Sequence, residues 1–174
     1  MAMLPKTFPP FPERSDIDLY ASITAAREVG GDLYDYFIRN DRLFFCIGDV
    51  SGKGIPAALL MAVVRAMLRS EARRSDTAQG IVGMMNHNLS HEYTAGYFVT
   101  MFVGILDLAT GRLDYCNAGH EAPIINGKPL PIKPNLPVGA LSDWQDQGQE
   151  TVLQSGDLIF LYTDGLTESM DSAR

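Results

Sequence analysis

The sequence predicts an α+β fold in which mainly antiparallel strands form two sheets packed face to face, with helices on the outside. Three observations lead to this prediction. Strand-like segments cluster before and after a pair of helical segments, short turns join neighbouring strands, and each helical segment carries an apolar stripe. The chain has 174 residues, 46% of them hydrophobic and 20% charged, which suffices for one domain and excludes a disordered chain.

The N-terminal part is expected to lead into a β-meander. Residues 1–15 contain four prolines and are predicted to be an extended lead-in or linker, with the folded domain at 16–174. Strands are predicted at 18–23, at 32–38 after a Gly-Gly pair, and at 43–47, where the apolar run is continuous. An Asn-Asp turn joins the last two strands.

Two helices follow a glycine-rich loop. From Ile55 the apolar residues recur with helical spacing, and Pro56 suits the first turn because its missing N–H is not needed there. Two adjacent apolar rows are expected to face inward: Ile55, Leu59, Val63 and Met67 in one row, and Leu60, Val64 and Leu68 in the other. A second helix is predicted at 77–92, with inward side chains Ile81, Met84, Met85 and Leu89.

The second half of the chain returns to strands. Alternating residues at 97–106 and the run at 112–117 predict a hairpin. An Asn-Gly turn between 123–125 and 130–132 predicts another. The last predicted strand is 158–162.

Composition excludes several classes of protein. There are 14 Lys+Arg against 21 Asp+Glu, a net charge of −7, so nucleic acid is not expected as the main partner. No apolar run approaches the ~20 residues of a membrane span, so we expect a domain without membrane contact. Cys46 and Cys116 lie in apolar strand-like runs and are expected to be reduced core thiols of a cytoplasmic protein.

Three aspartates stand where predicted strands end or turns begin. Asp32 follows two glycines, while Asp49 and Asp164 each follow a strand-like apolar run. Each could simply cap a turn. If the strand ends converge, however, the carboxylates would repel one another unless a hard cation such as Mg²⁺ or Mn²⁺ neutralised them. Asp35 would add to this acidic rim, which would also repel a phosphoprotein in the absence of metal.

The loop at 48–54 is not a nucleotide-binding P-loop. Three residues, where the P-loop has four, separate Gly48 from the Gly52-Lys53 pair, and Gly54 replaces the magnesium-binding Ser or Thr. A general nucleotide-binding domain is therefore disfavoured.

Four segments carry a more specific pattern: REVGGDLYD at 27–35, GDVSGKG at 48–54, NAGH at 117–120 and TDGLTE at 163–168. Together they resemble the successive motifs of the PPM-type metal-dependent protein serine/threonine phosphatases, most closely the bacterial SpoIIE/RsbU-like branch. Each motif alone is a weak signal. All four occur in family order and span 27–168, nearly the whole chain.

The resemblance implies an αββα sandwich with two Mn²⁺ or Mg²⁺ ions at the edge of the sheets. By position, Asp49 would bridge both metals and the Val50 carbonyl would ligate one. Asp164 would hold the other metal, and Asp32 would bind metal directly or through a water. Asp49 and Asp164 are the expected catalytic residues, since two metals can clamp a phosphate and activate water. Arg27 stands five residues before Asp32, where some relatives place a phosphate-binding arginine.

The chain departs from the family pattern at two points. A further metal-binding aspartate on a later strand has no counterpart before Arg174. The sequence is therefore expected to be a domain that lacks its C-terminal part and follows a sensory or regulatory domain in the full-length protein. His120 stands where broader relatives carry an aspartate tied to an accessory metal, so a third metal is not expected.

The function implied by the resemblance is metal-dependent hydrolysis of phosphoserine or phosphothreonine on a bacterial signalling protein. The expected substrate is a phosphorylated anti-sigma-factor antagonist. The alternative is a catalytically weak phosphatase-like module that binds a partner and relays a conformational signal. A site with fewer carboxylates would hold its second metal weakly, which keeps that alternative open.

Overall fold

Two antiparallel sheets and a pair of packed helices make up the fold. The computed structural model describes residues 4–23, 30–92 and 96–167. In chain order the elements are β1 (Leu33–Arg39), β2 (Arg42–Val50), α1 (Ile55–Glu71), α2 (Ala78–Glu92), β3 (Val99–Asp107), β4 (Arg112–Ala118), β5 (Ile124–Ile125), β6 (Lys128–Pro129), β7 (Gln149–Val152), β8 (Ile159–Phe160) and α3 (Asp164–Thr167). The predicted α+β class with antiparallel sheets is confirmed.

The larger sheet has the strand order β1-β2-β3-β4-β7, and every neighbouring pair is antiparallel. Its first hairpin turns at Asn40 and Asp41, whose φ angles of 51° and 57° give the two-residue turn that suits the twist of the strands. The smaller sheet has the order β6-β5-β8. Its hairpin turns at Asn126 and Gly127, as the sequence predicts.

Helices α1 and α2 cover one side of the larger sheet, and the smaller sheet covers the other. The helix-side core contains side chains of β2 and β3 such as Phe44, Cys46 and Met101. The core between the sheets is built on Phe102, with Leu113, Tyr115 and Leu130 around it. Both cysteines are buried and free, as expected.

The inward faces of the helices differ in part from the prediction. In α1 the row Leu60, Val64 and Leu68 is buried as predicted, but Ile55 and Leu59 are 69% and 64% exposed. The neighbours of α1 (β1, β2 and α2) cover a single stripe that includes Ala57 and Met61 instead. In α2, Ile81, Met85 and Leu89 are buried, whereas Met84 is exposed and Val82 is buried in its place. Because α2 packs against both α1 and the larger sheet, its covered stripe is displaced towards Val82.

The predicted strand at 18–23 is wrong. This segment forms no ladder, and among the described residues β1 pairs only with β2. Tyr20 is 77% exposed and contacts the ring of Phe8, 5.1 Å away between centroids, so its ring packs on the N-terminal segment and not on a sheet. The strand predicted at 158–162 is shorter than expected, and β7 and α3 were not predicted.

The proline-rich N-terminal segment packs on β1. Leu4 is buried in the helix-side core, and the hydroxyl of Tyr34 donates a hydrogen bond to the carbonyl of Pro5 over 2.6 Å. The rings of Phe8 and Phe11 contact the ring of Tyr36. In the part of the chain that the structure describes, no helix is both long and apolar enough to cross a bilayer.

Candidate functional site

Strand register brings two of the predicted site residues side by side. Leu33 of β1 pairs with Gly48 of β2, so Asp32 lies one step further along, beside Asp49. Residues alternate between the two faces of β2, and Asp49 shares the face of Phe45 and Ile47, which pack towards the smaller sheet. Both carboxylates therefore lie at one end of the larger sheet, on the side that faces the smaller one.

The third aspartate reaches the same place from the smaller sheet. Asp164 is the first residue of α3, four residues after β8 ends, and its side chain is exposed. Its charge raises the pKa of both Asp32 and Asp49, which requires that the three carboxylates be neighbours. The three carboxylates therefore lie at the same end of the two sheets, within electrostatic reach of one another.

The lack of a side chain at Gly31 allows Asp49 and Val50 of β2 to approach the backbone closely at this end of the sheet. A Cβ atom at Gly31 would lie 2.6 Å from the carbonyl oxygen of Val50 and 2.9 Å from Oδ1 of Asp49. The backbone N–H of Val50 donates to the carbonyl of Gly31 over 3.3 Å. The missing side chain thus leaves two oxygens, one carbonyl and one carboxylate, beside the backbone that leads into Asp32.

Burial and mutual repulsion disfavour the charged forms of these carboxylates. Desolvation, followed by the charges of Asp32 and Asp164, raises the pKa of Asp49 to about 6. Desolvation and the charge of Asp164 also raise the pKa of Asp32, although a hydrogen bond with the Thr163 side chain acts in the opposite direction. Such a group of half-buried carboxylates is poised to bind positive charge.

The donor set fits a hard divalent cation, but the carboxylates are not drawn together into a closed cluster. Within residues 4–23, 30–92 and 96–167, no three acidic, histidine or cysteine side chains are grouped closely enough to hold a metal ion. The available ligands are all oxygens: two half-buried carboxylates, the exposed Asp164 and the Val50 carbonyl. Oxygen is the ligand type that Mg²⁺ and Mn²⁺ prefer.

Asp35 does not belong to the acidic rim, contrary to the prediction. It is three residues from Asp32 and lies on the opposite face of β1, where it is 1% exposed. Its carboxylate accepts hydrogen bonds from Nε and Nη2 of Arg69 over 2.6 and 2.7 Å, and Nε of Arg65 lies 3.1 Å away. Asp35 therefore anchors α1 to the sheet. Arg27, the predicted phosphate-binding residue, lies outside the described residues.

A buried histidine, noted in the sequence only as a departure from the family, connects the two sheets beside the carboxylates. His120 is 7% exposed, with Nδ1 3.1 Å from Oγ1 of Thr100 and Nε2 3.1 Å from the carbonyl oxygen of Tyr162. A carbonyl can only accept, so Nε2 carries the hydrogen, and the Thr100 hydroxyl donates to Nδ1. Burial lowers the pKa of His120, which favours this neutral form.

Sequence reasoning missed the contacts of three residues around the site: Thr163, Thr100 and Asn117. Thr163 hydrogen-bonds Asp32, Thr100 contacts His120, and Asn117 holds the His120 backbone. Asn117 and Thr163 lie within two of the four motifs, and that position was the signal that could have indicated them. Thr100 lies in an ordinary strand pattern and had no such signal.

Comparison with known proteins assigns this arrangement to a family. The family model described as Stage II sporulation protein E (SpoIIE) matches residues 39–174. The chain belongs to the SpoIIE family. The resemblance drawn from the four motifs is thereby confirmed, and the match includes Asp49, Val50, His120 and Asp164.

Curated relatives of this SpoIIE-family chain include two from different bacteria. It is 28% identical over 163 residues to phosphoserine phosphatase RsbU of Bacillus subtilis, covering 90% of this chain and 48% of RsbU. It is 30% identical over 190 residues to protein IcfG of Synechocystis, covering 91% of this chain and 30% of IcfG. The chain thus spans less than half the length of either relative.

Solved structures show the same fold. The RsbU and RsbW domains of Rv1364c from Mycobacterium tuberculosis match with a TM-score of 0.74 and 30% identity, over 83% of this chain and 42% of that one. The PP2C phosphatase domain of SpoIIE from Bacillus subtilis matches with a TM-score of 0.70 and 22% identity, over 80% of this chain and 43% of that one. The two-sheet architecture is therefore that of PP2C-type domains.

Proposed function

We propose that this SpoIIE-family domain hydrolyses phosphoserine or phosphothreonine on a protein, at the end of the sheets where Asp32, Asp49 and Asp164 meet. The observation that carries the proposal is that three carboxylates from three separate motifs lie at the same end of the sheets, where burial first and the charges of Asp32 and Asp164 second raise the pKa of Asp49 to about 6. RsbU and RsbP of Bacillus subtilis, both named phosphoserine phosphatases, support it as relatives.

In this proposal the chain's own residues build a divalent-cation site. Asp49 and the carbonyl of Val50, side by side over Gly31, would hold one ion, and Asp49 would share its carboxylate with a second ion held by Asp164. Asp32 would bind metal directly or through a water. Two Mn²⁺ or Mg²⁺ ions, when bound, would supply charge neutralisation for the phosphate and a lowered pKa for water. A magnesium complex of the structural neighbour RsbX is consistent with the ion type.

The remaining residues of the site would orient the groups around the phosphate. Thr163 would hold the Asp32 carboxyl through its side-chain hydrogen bond. Arg27, five residues before Asp32, is proposed to bind the substrate phosphate, since a guanidinium can donate two parallel hydrogen bonds to phosphate oxygens. No nucleophilic Ser or Cys is required by this chemistry.

The substrate that we propose is a phosphorylated anti-sigma-factor antagonist, with an upstream sensory or regulatory domain in the full-length protein. The support comes from the relatives RsbU and RsbP and from the neighbour whose solved structure combines RsbU and RsbW domains. An acidic rim without metal would repel a phosphoprotein, so we expect substrate binding, as well as turnover, to require the divalent ion.

A second candidate function is a catalytically weak module that binds a partner and relays a signal. It is favoured by one observation, the lack of a closed group of three metal-binding side chains in the described residues. A separated set of carboxylates would bind a second cation weakly and would leave the protein interaction as the main function.

The test is Mn²⁺-dependent phosphate release from a phosphoserine protein and from an aryl phosphate, using the protein at the length its gene encodes. Asp49→Asn is the test variant. Asp41→Asn is the matched control, because Asp41 lies in the turn at the opposite end of β2 and its side chain is 61% exposed. We expect activity in the wild type and Asp41→Asn, and its loss in Asp49→Asn. A folded, inactive wild type would favour the binding module, and activity in Asp49→Asn would refute this placement of the site.

A further inference from the structure

The His120 side chain joins three segments that are distant in sequence. Its own segment follows β4, Thr100 lies on β3, and Tyr162 lies just after β8 on the smaller sheet. Both ring nitrogens have partners at 3.1 Å, and the ring is 7% exposed. The imidazole therefore forms a buried polar connection between the two sheets.

The backbone that carries this ring is itself held firmly. Oδ1 of Asn117 accepts a hydrogen bond from the N–H of His120 over 2.7 Å, and Nδ2 of Asn117 donates to the His120 carbonyl over 2.9 Å. Gly119 adopts φ 68°, and a Cβ there would lie 2.9 Å from Cγ of Pro137. The orientation of the ring is thus fixed by contacts of its backbone as well as by the partners of its two nitrogens.

Each partner of the ring lies next to one of the carboxylates. Thr100 is the register partner of Asp49 across β2 and β3. Tyr162 precedes Thr163, whose side chain hydrogen-bonds Asp32, and Asp164 follows directly. A single imidazole therefore connects the strand pair that carries Asp49 with the segment that carries Asp164.

The segment after β8 follows a short strand. In the described residues, β8 is two residues long and pairs only with β5, which is equally short. Asp164 begins a helix of four residues and is exposed. The hydrogen bond from His120 to the Tyr162 carbonyl, together with that between the Thr163 side chain and Asp32, ties this segment to the larger sheet at the level of the carboxylates.

We propose that His120 is a positioning residue, which holds the Tyr162 to Asp164 segment beside the strand pair that carries Asp49, so that Asp49 and Asp164 can serve the same divalent-cation site. The inference rests on the proposed function, because it assigns His120 to the geometry of that carboxylate site. His120 contacts neither metal nor substrate in this proposal and acts through Asp164 and Asp32.

The experiment measures Mn²⁺ affinity by calorimetric titration and thermal stability in EDTA, on the protein at the length its gene encodes. His120→Leu removes both hydrogen bonds, and His120→Gln restores an N–H donor for the Tyr162 carbonyl. Thr100→Val removes the hydroxyl with little change of shape, and Thr100→Ser keeps it. We expect Mn²⁺ affinity to fall about 10- to 100-fold in His120→Leu, which is the range for residues that orient metal ligands. The loss should be smaller in Thr100→Val and partly reversed in His120→Gln.

The outcomes separate this inference from the proposed function. Unchanged Mn²⁺ affinity in folded His120→Leu, or in Thr100→Val and His120→Gln if the leucine variant does not fold, would overturn the positioning role while leaving the metal site in place. A loss of thermal stability with unchanged affinity would also overturn it, since that result defines a merely structural residue. If the wild type and Asp49→Asn bind Mn²⁺ equally, the metal site is wrong and the inference fails with it.

Discussion

Gly31 is the residue whose side chain, or lack of one, sets the spacing of the candidate ligands. Gly31 does not have a positive φ, so its backbone tolerates an alanine. A Cβ at Gly31 would press on the Val50 carbonyl at 2.6 Å, whereas one at Gly30 would meet nothing within 4 Å among the described residues.

Gly31→Ala should therefore weaken Mn²⁺ binding by about tenfold or more, because the added methyl group displaces the Val50 carbonyl and the Asp49 carboxylate. Gly30→Ala is the matched control and should bind as the wild type does. Titration calorimetry on the two folded variants checks this. Equal affinities for both would show that the two oxygens do not form the site.

The ionisation of Asp49 should make the metal-free protein less stable as pH rises. Its pKa is about 6 in the folded protein against an ordinary value of 3.8, so the folded state binds more protons between these values. The contribution of Asp49 to stability is fully present below its ordinary pKa and is lost as pH rises through its folded-state pKa. Asp49→Asn removes the ionisable group and with it this loss of stability at higher pH.

In EDTA at about pH 7.5, Asp49→Asn should raise the free energy of unfolding by about 1 kcal/mol, a figure reduced for solvent screening. The difference should vanish below about pH 3, where Asp49 is protonated in both states. Urea unfolding at several pH values measures it. A variant less stable than the wild type at the higher pH would contradict the repulsion between the carboxylates.

At the scale of elements, α1 is attached to the larger sheet by a buried ion cluster and by an apolar stripe. Asp35 of β1 is buried, while Arg69 of α1 stacks on Phe37 with its guanidinium carbon 4.8 Å from the ring centroid. The apolar stripe of α1 is the buried row that includes Leu68. Because α1 follows the loop after Asp49 and Val50, this attachment also holds the segment next to the candidate site.

Asp35→Asn should cost about 2–4 kcal/mol of stability, because it leaves the arginines without their buried counter-charge. Asp76→Asn is the control: Asp76 also pairs with two arginines, but its side chain is 72% exposed, and its loss should cost less than about 1 kcal/mol. Urea unfolding at one pH compares the two. Similar losses would show that the cluster around Asp35 contributes no more than a surface ion pair.

For the whole molecule, metal binding should appear as added stability. The net charge is −7, and the carboxylates near Asp49 repel one another in the folded state only. A ligand that binds the folded state alone stabilises it by about 2.7 kcal/mol at a concentration 100 times its Kd. For a chain of this size that is a rise of about 5–10 °C in Tm.

Mn²⁺ added to the EDTA-treated protein should therefore raise Tm by several degrees, and Asp49→Asn should show a much smaller rise. Sodium chloride at the same ionic strength is the control for general screening of the negative charge. Differential scanning fluorimetry checks this. A rise of equal size with Mn²⁺ and with sodium chloride would argue against a specific site.

What the sequence by itself determined about this protein is mostly local. The Asn40-Asp41 and Asn126-Gly127 turns, the start of α1 at Ile55 and the α+β class follow from turn chemistry and periodicity, which depend on neighbours in the chain. The four motifs likewise indicated the family and the three aspartates, because each motif is a contiguous stretch.

Only the tertiary structure decided which residues meet across the molecule. It paired Asp35 with Arg69, left Leu59 exposed on α1, and kept residues 18–23 out of the sheet. It also placed His120 between Thr100 and Tyr162. The physical reason is the same in each case. Burial, ion pairing and hydrogen bonding at these positions depend on elements that are far away in sequence, and no local pattern specifies which distant element supplies the contact.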